Sequence, residues 1–136
     1  MPYASKTKVP VDRSRAEIER LVHRYGCTQY GTAVDYATGR VQVQFRASER
    51  LVRIEMDTPK EEQRRRAKWR ALCLVLKAKL EAVAAKITTF DDEFMPHIVM
   101  PDNRTVSQHV APAITAAYES GKMQPLLLEG SDGDRR

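Results

Sequence analysis

The sequence predicts an α+β fold: a helix, a three-stranded antiparallel meander, a long basic helix, then short C-terminal helices packing on it. Three observations carry this reading. Apolar residues recur at helical spacing in Ile18–Tyr25 and again in Trp69–Ile87. Between those segments the pattern switches to period two in three runs separated by turn residues. A chain of 136 residues, 42% hydrophobic, is long enough for one core. The expected organisation is a flexible arm over 1–11, a single domain over 12–128 and a disordered tail over 129–136.

Each element has a local cause. The arm is polar and holds Pro2 and Pro10. Ser14-Arg15-Ala16-Glu17 fits a capping box, in which hydroxyl and carboxylate satisfy free amides reciprocally. Ile18, Leu21, Val22 and Tyr25 follow, and Gly26 suits the left-handed position after a helix, so the first helix is expected over about 14–25. Tyr30, Thr32, Val34 and Tyr36 alternate, as do Val41, Val43 and Phe45, and then Val52, Ile54 and Met56. Ala37–Arg40 and Ala47–Glu49 read as the turns between them, and the meander has one apolar face.

Thr58-Pro59-Lys60-Glu61 reads as an N-cap, a first-turn proline and a carboxylate at the third helical position. The second helix is expected to run from there to about Ile87, roughly 42 Å. Trp69, Leu72, Leu76, Leu80, Val83 and Ile87 form its core stripe. Ala71, Leu74, Ala78, Ala82 and Ala85 form a second, smaller stripe. It reflects helix propensity, or it receives the C-terminal helix or another subunit in a homo-oligomer. Thr89 can cap a short helix through Asp91, Asp92 and Glu93 that Pro96 stops. After an apolar run from His97 to Met100 and a turn at 101–104, Thr105–Gln108 is a further capping box. The last helix then runs to about Ser120 with Gly121 at its end, and Pro112 should kink or break it. Met123–Leu128 is expected to pack back as a strap.

The charge is unevenly placed. The net formal charge is +5, yet residues 60–88 alone hold +6 while residues 89–136 hold −4. A basic helix ahead of an acidic third points to a polyanion or an acidic partner. Its candidate contacts are Arg64, Arg65, Arg66, Lys68 and Arg70, extended by Lys77, Lys79 and Lys86. Such residues can form a solvated face whose stems cover the core's edge, or a surface that tracks phosphates. Tyr30, Tyr36 and Phe45 could stack on bases, or belong to the core.

Other chemistry finds no pattern. The six glycines are scattered, so no phosphate loop is formed, and nucleophile elbows are absent. His23, His97 and His109 share no ligand spacing, and Cys27 and Cys73 are isolated. The densest titratable cluster is Asp91, Asp92, Glu93 and His97, where Pro96 should spoil a common face. The expectation is therefore no catalytic residue, no metal and no cofactor. With no apolar leader at the N-terminus and no long apolar run, no membrane partner is expected, and the cysteines read as free thiols in a reducing cytoplasm.

Two resemblances add context. The element order resembles that of double-stranded RNA-binding domains, and Arg64–Leu72 (RRRAKWRAL) is loosely similar to the basic start of their second helix. Thr58-Pro59 replaces that family's Gly/Ser loop, and the long helix departs from it, so this is analogy of fold. SRAEIERLVHRYG (14–26), KWRALCLVLKAKLEAVAAKITTFDDEF (68–94) and HIVMPDNRTVSQHVAPAITAAYESGKMQPLL (97–127) resemble a family of small phage and prophage proteins of proteobacteria with no assigned activity. That resemblance implies a protein working in the bacterial host cytoplasm and carries over no functional residue. The expected function is a phage accessory protein that binds nucleic acid, DNA before RNA, without catalysis. The alternative is an inhibitor or adaptor that meets an acidic surface of a host nucleic-acid-processing or defence complex.

Overall fold

The computed structural model of the chain describes residues 5–127. In chain order it contains α1 (Val11–Arg24), β1 (Gln29–Asp35), β2 (Arg40–Ala47), β3 (Arg50–Asp57), α2 (Glu62–Ala84), α3 (Phe90–Phe94), a 3₁₀ turn (Met95–His97) and α4 (Val106–Ser120). The α+β order expected from the sequence is the order found. The strands form one antiparallel sheet in the order β1-β2-β3, with Val43 opposite both Thr32 and Ile54.

Alternation along the strands decides which face is covered. Val41, Val43, Phe45 and Ala47 of β2 and Val52 of β3 are buried, whereas Gln42, Gln44 and Arg46 stay partly exposed. Helices α1 and α2 pack against each other and bring Ile18, Leu21, Val22, Trp69, Cys73, Leu76 and Leu80 onto the buried face. Each fully buried apolar side chain contributes about 1.5–3 kcal/mol. Phe94 of α3 completes the core edge-on to Phe45, ring centroids 5.7 Å apart. The other face is polar: Arg40 pairs with Glu55 at 2.7 Å and Asp57 at 3.0 Å, and Arg53 donates to Gln44.

The helix starts differ from the expected ones. α1 begins at Val11 with Pro10 as N-cap, so Ser14 lies inside the helix, fully buried, its Oγ without a partner among the described residues. Glu17 is paired with Arg70 instead of closing a capping box. The far end follows expectation. Gly26 has φ +95°, its N–H donates to His23 and that of Cys27 to Val22, the paired bonds of a left-handed helix stop.

α2 is capped by the Glu61 carboxylate, which accepts from the N–H groups of Gln63 and Arg64. Thr58 is drawn away from that role, because its N–H and its hydroxyl both donate to the Gly39 carbonyl, at 2.8 and 2.7 Å. The loop between β1 and β2 thus claims the residue that the sequence offers as a cap. α2 ends at Ala84 rather than near Ile87. Lys86 turns left-handed at φ 63°, and Lys86 and Ile87 return bonds to Val83 and Ala82. Its 23 residues span about 34 Å.

Beyond α2 the caps behave as read. Thr89 accepts from the N–H of Asp92, and Thr105 with Gln108 makes the reciprocal capping box. Val99 donates to the Leu51 carbonyl and Ile98 bridges Val52, so this segment covers the free edge of β3. α4 continues across Pro112 instead of breaking. Proline removes the amide that would serve the Gln108 carbonyl, and Arg104 donates to that carbonyl at 3.1 Å in its place. α3 packs on α2, while α4 packs on the 3₁₀ turn and leaves Ala78 and Ala85 of the small-residue stripe exposed, with Val75 exposed beside them. Met123 is 84% exposed and Leu126 and Leu127 are exposed, so the expected strap is no tight cover; Leu128 and the tail over 129–136 lie outside the described residues.

Candidate nucleic-acid interface

The eight cations read from the sequence do not share one face. At 100° per residue the buried stripe of Trp69, Cys73, Leu76 and Leu80 separates them. Arg66, Arg70 and Lys77 flank it toward α1; Arg64, Lys68 and Lys79 lie on the other flank, and Lys86 follows the end of the helix. Two of them are tied into the fold. Arg70 donates to Glu17 of α1 at 2.6 Å, with the two side chains 19% and 35% exposed. That hydrogen bond holds the Glu17 carboxyl below its usual value against the opposing effect of burial. Lys79 donates to the Glu93 carboxylate at 2.9 Å and lies 5.7 Å from the centroid of the Phe94 ring. The continuous track from Arg64 to Lys86 is therefore corrected. Arg70 and Lys79 reach the carboxylates of neighbouring helices and join helix to helix.

The cations at the start of α2 are differently placed. Arg64 and Lys68 are exposed and have no carboxylate partner among the described residues. Arg65 donates to the Lys60 carbonyl at 2.8 Å, and Arg66 pairs with Glu62 one turn earlier at 2.6 Å. Gln63 donates to the Thr7 carbonyl at 2.6 Å, which fastens the segment before α1 to this turn. The exposed Lys6 and Lys8 flank that contact. Lys77 is exposed beside Arg20 and Arg24 of α1, well along the helix.

Sequence reading missed a cleft at this end. It holds about 500 Å³ between the start of α1, the β1–β2 loop and the start of α2. Lys60, Arg65 and Arg66 line it together with Arg15, whose guanidinium carbon stands 5.4 Å from the centroid of the Trp69 ring. Arg15 has no carboxylate partner among the described residues. The cleft's own carboxylates are Asp12, Asp35 and Glu62. Glu62 is taken by Arg66, and an Asp35 oxygen accepts from the N–H groups of Ala37 and Thr38. Arg15 lies some fifty residues from the basic run, and only the pairing of α1 with α2 brings them together.

The three candidate aromatics separate cleanly. Phe45 is 1% exposed in the core, and Tyr30 is half-buried with its hydroxyl 2.7 Å from that of Thr32. Tyr36 is 84% exposed and stands on the cleft.

The acidic cluster is dispersed by pairing: Asp91 binds Arg50 at 3.1 Å and Glu93 binds Lys79. Among the described residues no group of three or more His, Cys, Asp or Glu side chains is placed to hold a metal ion. His109 instead meets Asp102 at 2.8 Å, and this contact holds the Asp102 carboxyl below its usual value. Burial pushes the Cys27 thiol up to about 11 and raises that of Cys73, so both stay protonated at neutral pH. Among the described residues no helix is long and apolar enough to cross a membrane. Comparison of the chain with protein-family models, with curated proteins and with solved structures gives no match.

Proposed function

We propose that this is a phage or prophage accessory protein that binds nucleic acid without catalysis, in the host cytoplasm, through the basic end of the molecule where α2 begins. One observation carries the reading: Arg64 and Lys68 are exposed without carboxylate partners among the described residues, next to Lys60, Arg65 and Arg66 at a cleft that also holds Arg15. Cations left unpaired keep their attraction for phosphate, and each phosphate they neutralise releases counterions. Arg70 and Lys79 drop out of the contact set because each is held by a largely covered carboxylate of another helix, whereas Glu62, the partner of Arg66, is exposed and screened by solvent. The resemblance of three segments to phage proteins supplies the setting.

The test is fluorescence anisotropy with labelled single- and double-stranded DNA and RNA across several salt concentrations. Changing Arg64, Arg65 and Arg66 together to Ala should lower the slope of log affinity against log salt by up to roughly 3 on duplex, about 0.9 for each phosphate no longer neutralised. An unchanged slope in the triple variant sinks the assignment. The same titration ranks DNA, the favoured ligand, against RNA. A protein partner is the second reading, and one observation favours it: α4 has no buried residue and leaves Ile114 half-exposed and Tyr118 85% exposed. Retention of a host protein, with no oligonucleotide binding at low salt, would select it.

A further inference from the structure

We infer that the cleft between α1, the β1–β2 loop and α2 seats one unpaired nucleotide, so that the protein prefers single-stranded nucleic acid; this rests on the nucleic-acid reading and deepens it. Four features of the cleft converge on that ligand. Its volume of about 500 Å³ lies within the range of small-ligand sites, about 300–1,000 Å³. Its cations, Arg15, Lys60, Arg65 and Arg66, outnumber its carboxylates by one; Arg66 and Glu62 match each other, and an Asp35 oxygen is taken up by the N–H groups of Ala37 and Thr38. Arg15 lies against Trp69 with no carboxylate partner among the described residues, which leaves its N–H groups for two phosphate oxygens. Among the described residues Arg65 bonds to a backbone carbonyl and to no carboxylate, and it lines the same cleft.

Tyr36 decides the strandedness. A tyrosine 84% exposed on a turn withdraws apolar surface from water if a flat partner lies on it. A base within a duplex has both faces covered by its neighbours, whereas an unpaired base offers one to an aromatic ring. In this arrangement Tyr36 stacks on the base at the mouth, Arg15 and Arg65 hold its phosphate, and Arg64, Lys68 and the lysines beside Thr7 follow the strand outward. No bond is made or broken.

Trp69 makes the cleft observable. It is the chain's single tryptophan, 2% exposed and lying against Arg15. Its emission should respond when a phosphate draws on that guanidinium. A short oligo(dT) and a duplex of equal length are titrated into the full chain and into Tyr36→Ala and Tyr36→Phe, following Trp69 emission and, with labelled strands, anisotropy. The wild type should bind oligo(dT) more tightly than duplex, with a Trp69 response. Tyr36→Ala should weaken oligo(dT) binding by roughly 5- to 100-fold, leave duplex binding unchanged, and be rescued by Phe. Equal loss on both ligands, or none on either, overturns the inference, as does oligo(dT) binding without a Trp69 response. Salt-sensitive binding that survives with a silent Tyr36→Ala removes the cleft alone. Failure of the wild type to bind either ligand at low salt removes the nucleic-acid reading with it.

Discussion

Arg70 is the residue at which sequence and structure assign opposite duties, and a double-mutant cycle with Glu17 separates them. The sequence places Arg70 in a run of cations available to a polyanion. The structure places it 2.6 Å from Glu17, joining α2 to α1. A charge-assisted hydrogen bond contributes about 1.5–3 kcal/mol when sheltered, and an exposed ion pair about 0–1 kcal/mol. Here Arg70 is mostly covered while Glu17 is about a third exposed, so solvent screens the pair and the coupling should be about 1 kcal/mol. Arg70→Ala alone also strips the aliphatic stem from the helix interface, for a total loss of about 1.5 kcal/mol and a melting temperature lower by roughly 5 °C. The assay is urea unfolding of the wild type, Arg70→Ala, Glu17→Ala and the double variant, read through the buried Trp69. Oligonucleotide affinity is measured on the same four proteins. Stability should fall while affinity stays within about twofold. Coupling near zero together with a loss of affinity would return Arg70 to the binding surface and refute the division of the α2 cations.

Two further outcomes test the frame around the site. Gly39 has φ +79° and a Cβ there would run into the Thr58 carbonyl oxygen. Gly39→Ala should therefore cost about 2 kcal/mol or more in urea unfolding, and a cost below about 0.5 kcal/mol would show that the β1–β2 loop can yield. His97 is held below its ordinary pKa, first by burial and then by Lys79 nearby. A depressed value means that the unfolded chain takes up the proton first. Its contribution is present above the ordinary value near 6.5 and is lost as pH falls from there through the folded value. The wild type should lose more stability than His97→Gln between pH 7 and pH 5, and parallel pH profiles would contradict this.

What could be read in advance, and what could not, divides by the range of the signal. The strands were legible because alternation such as Val41, Val43, Phe45 states within a few residues which face is dry. Thr89 and Thr105 were legible because their caps close on the next turn. Thr58 was not. Its local motif is a good cap, but a carbonyl nineteen residues earlier, at Gly39, takes both of its donors. The end of α2 was hidden because Lys86 adopts the left-handed conformation that glycine usually marks. The Ser48-Glu49 turn was legible from the break in alternation, although its two residues stand at positive φ, 51° and 59°, without an Asn-Gly signature.

The candidate site shows the same limit in its electrostatics. Counting charge along α2 treats its cations as equivalent, although a cation's use depends on what faces it. The carboxylates that neutralise Arg70 and Lys79 lie on α1 and α3, which no spacing rule within α2 can reveal. The same packing of α1 on α2 that removes Arg70 from the surface sets Arg15 against Trp69, beside Arg65 and Arg66, and so replaces a matched cation with an unmatched one. Pairing thus withdraws Arg70 and Lys79 from the helix's free charge, Lys77 stays exposed beside α1, and at the start of α2 Tyr36 adds the flat apolar surface that a row of lysines and arginines lacks. The selectivity proposed for an unpaired strand rests on that conjunction, because cations alone would hold any phosphate backbone.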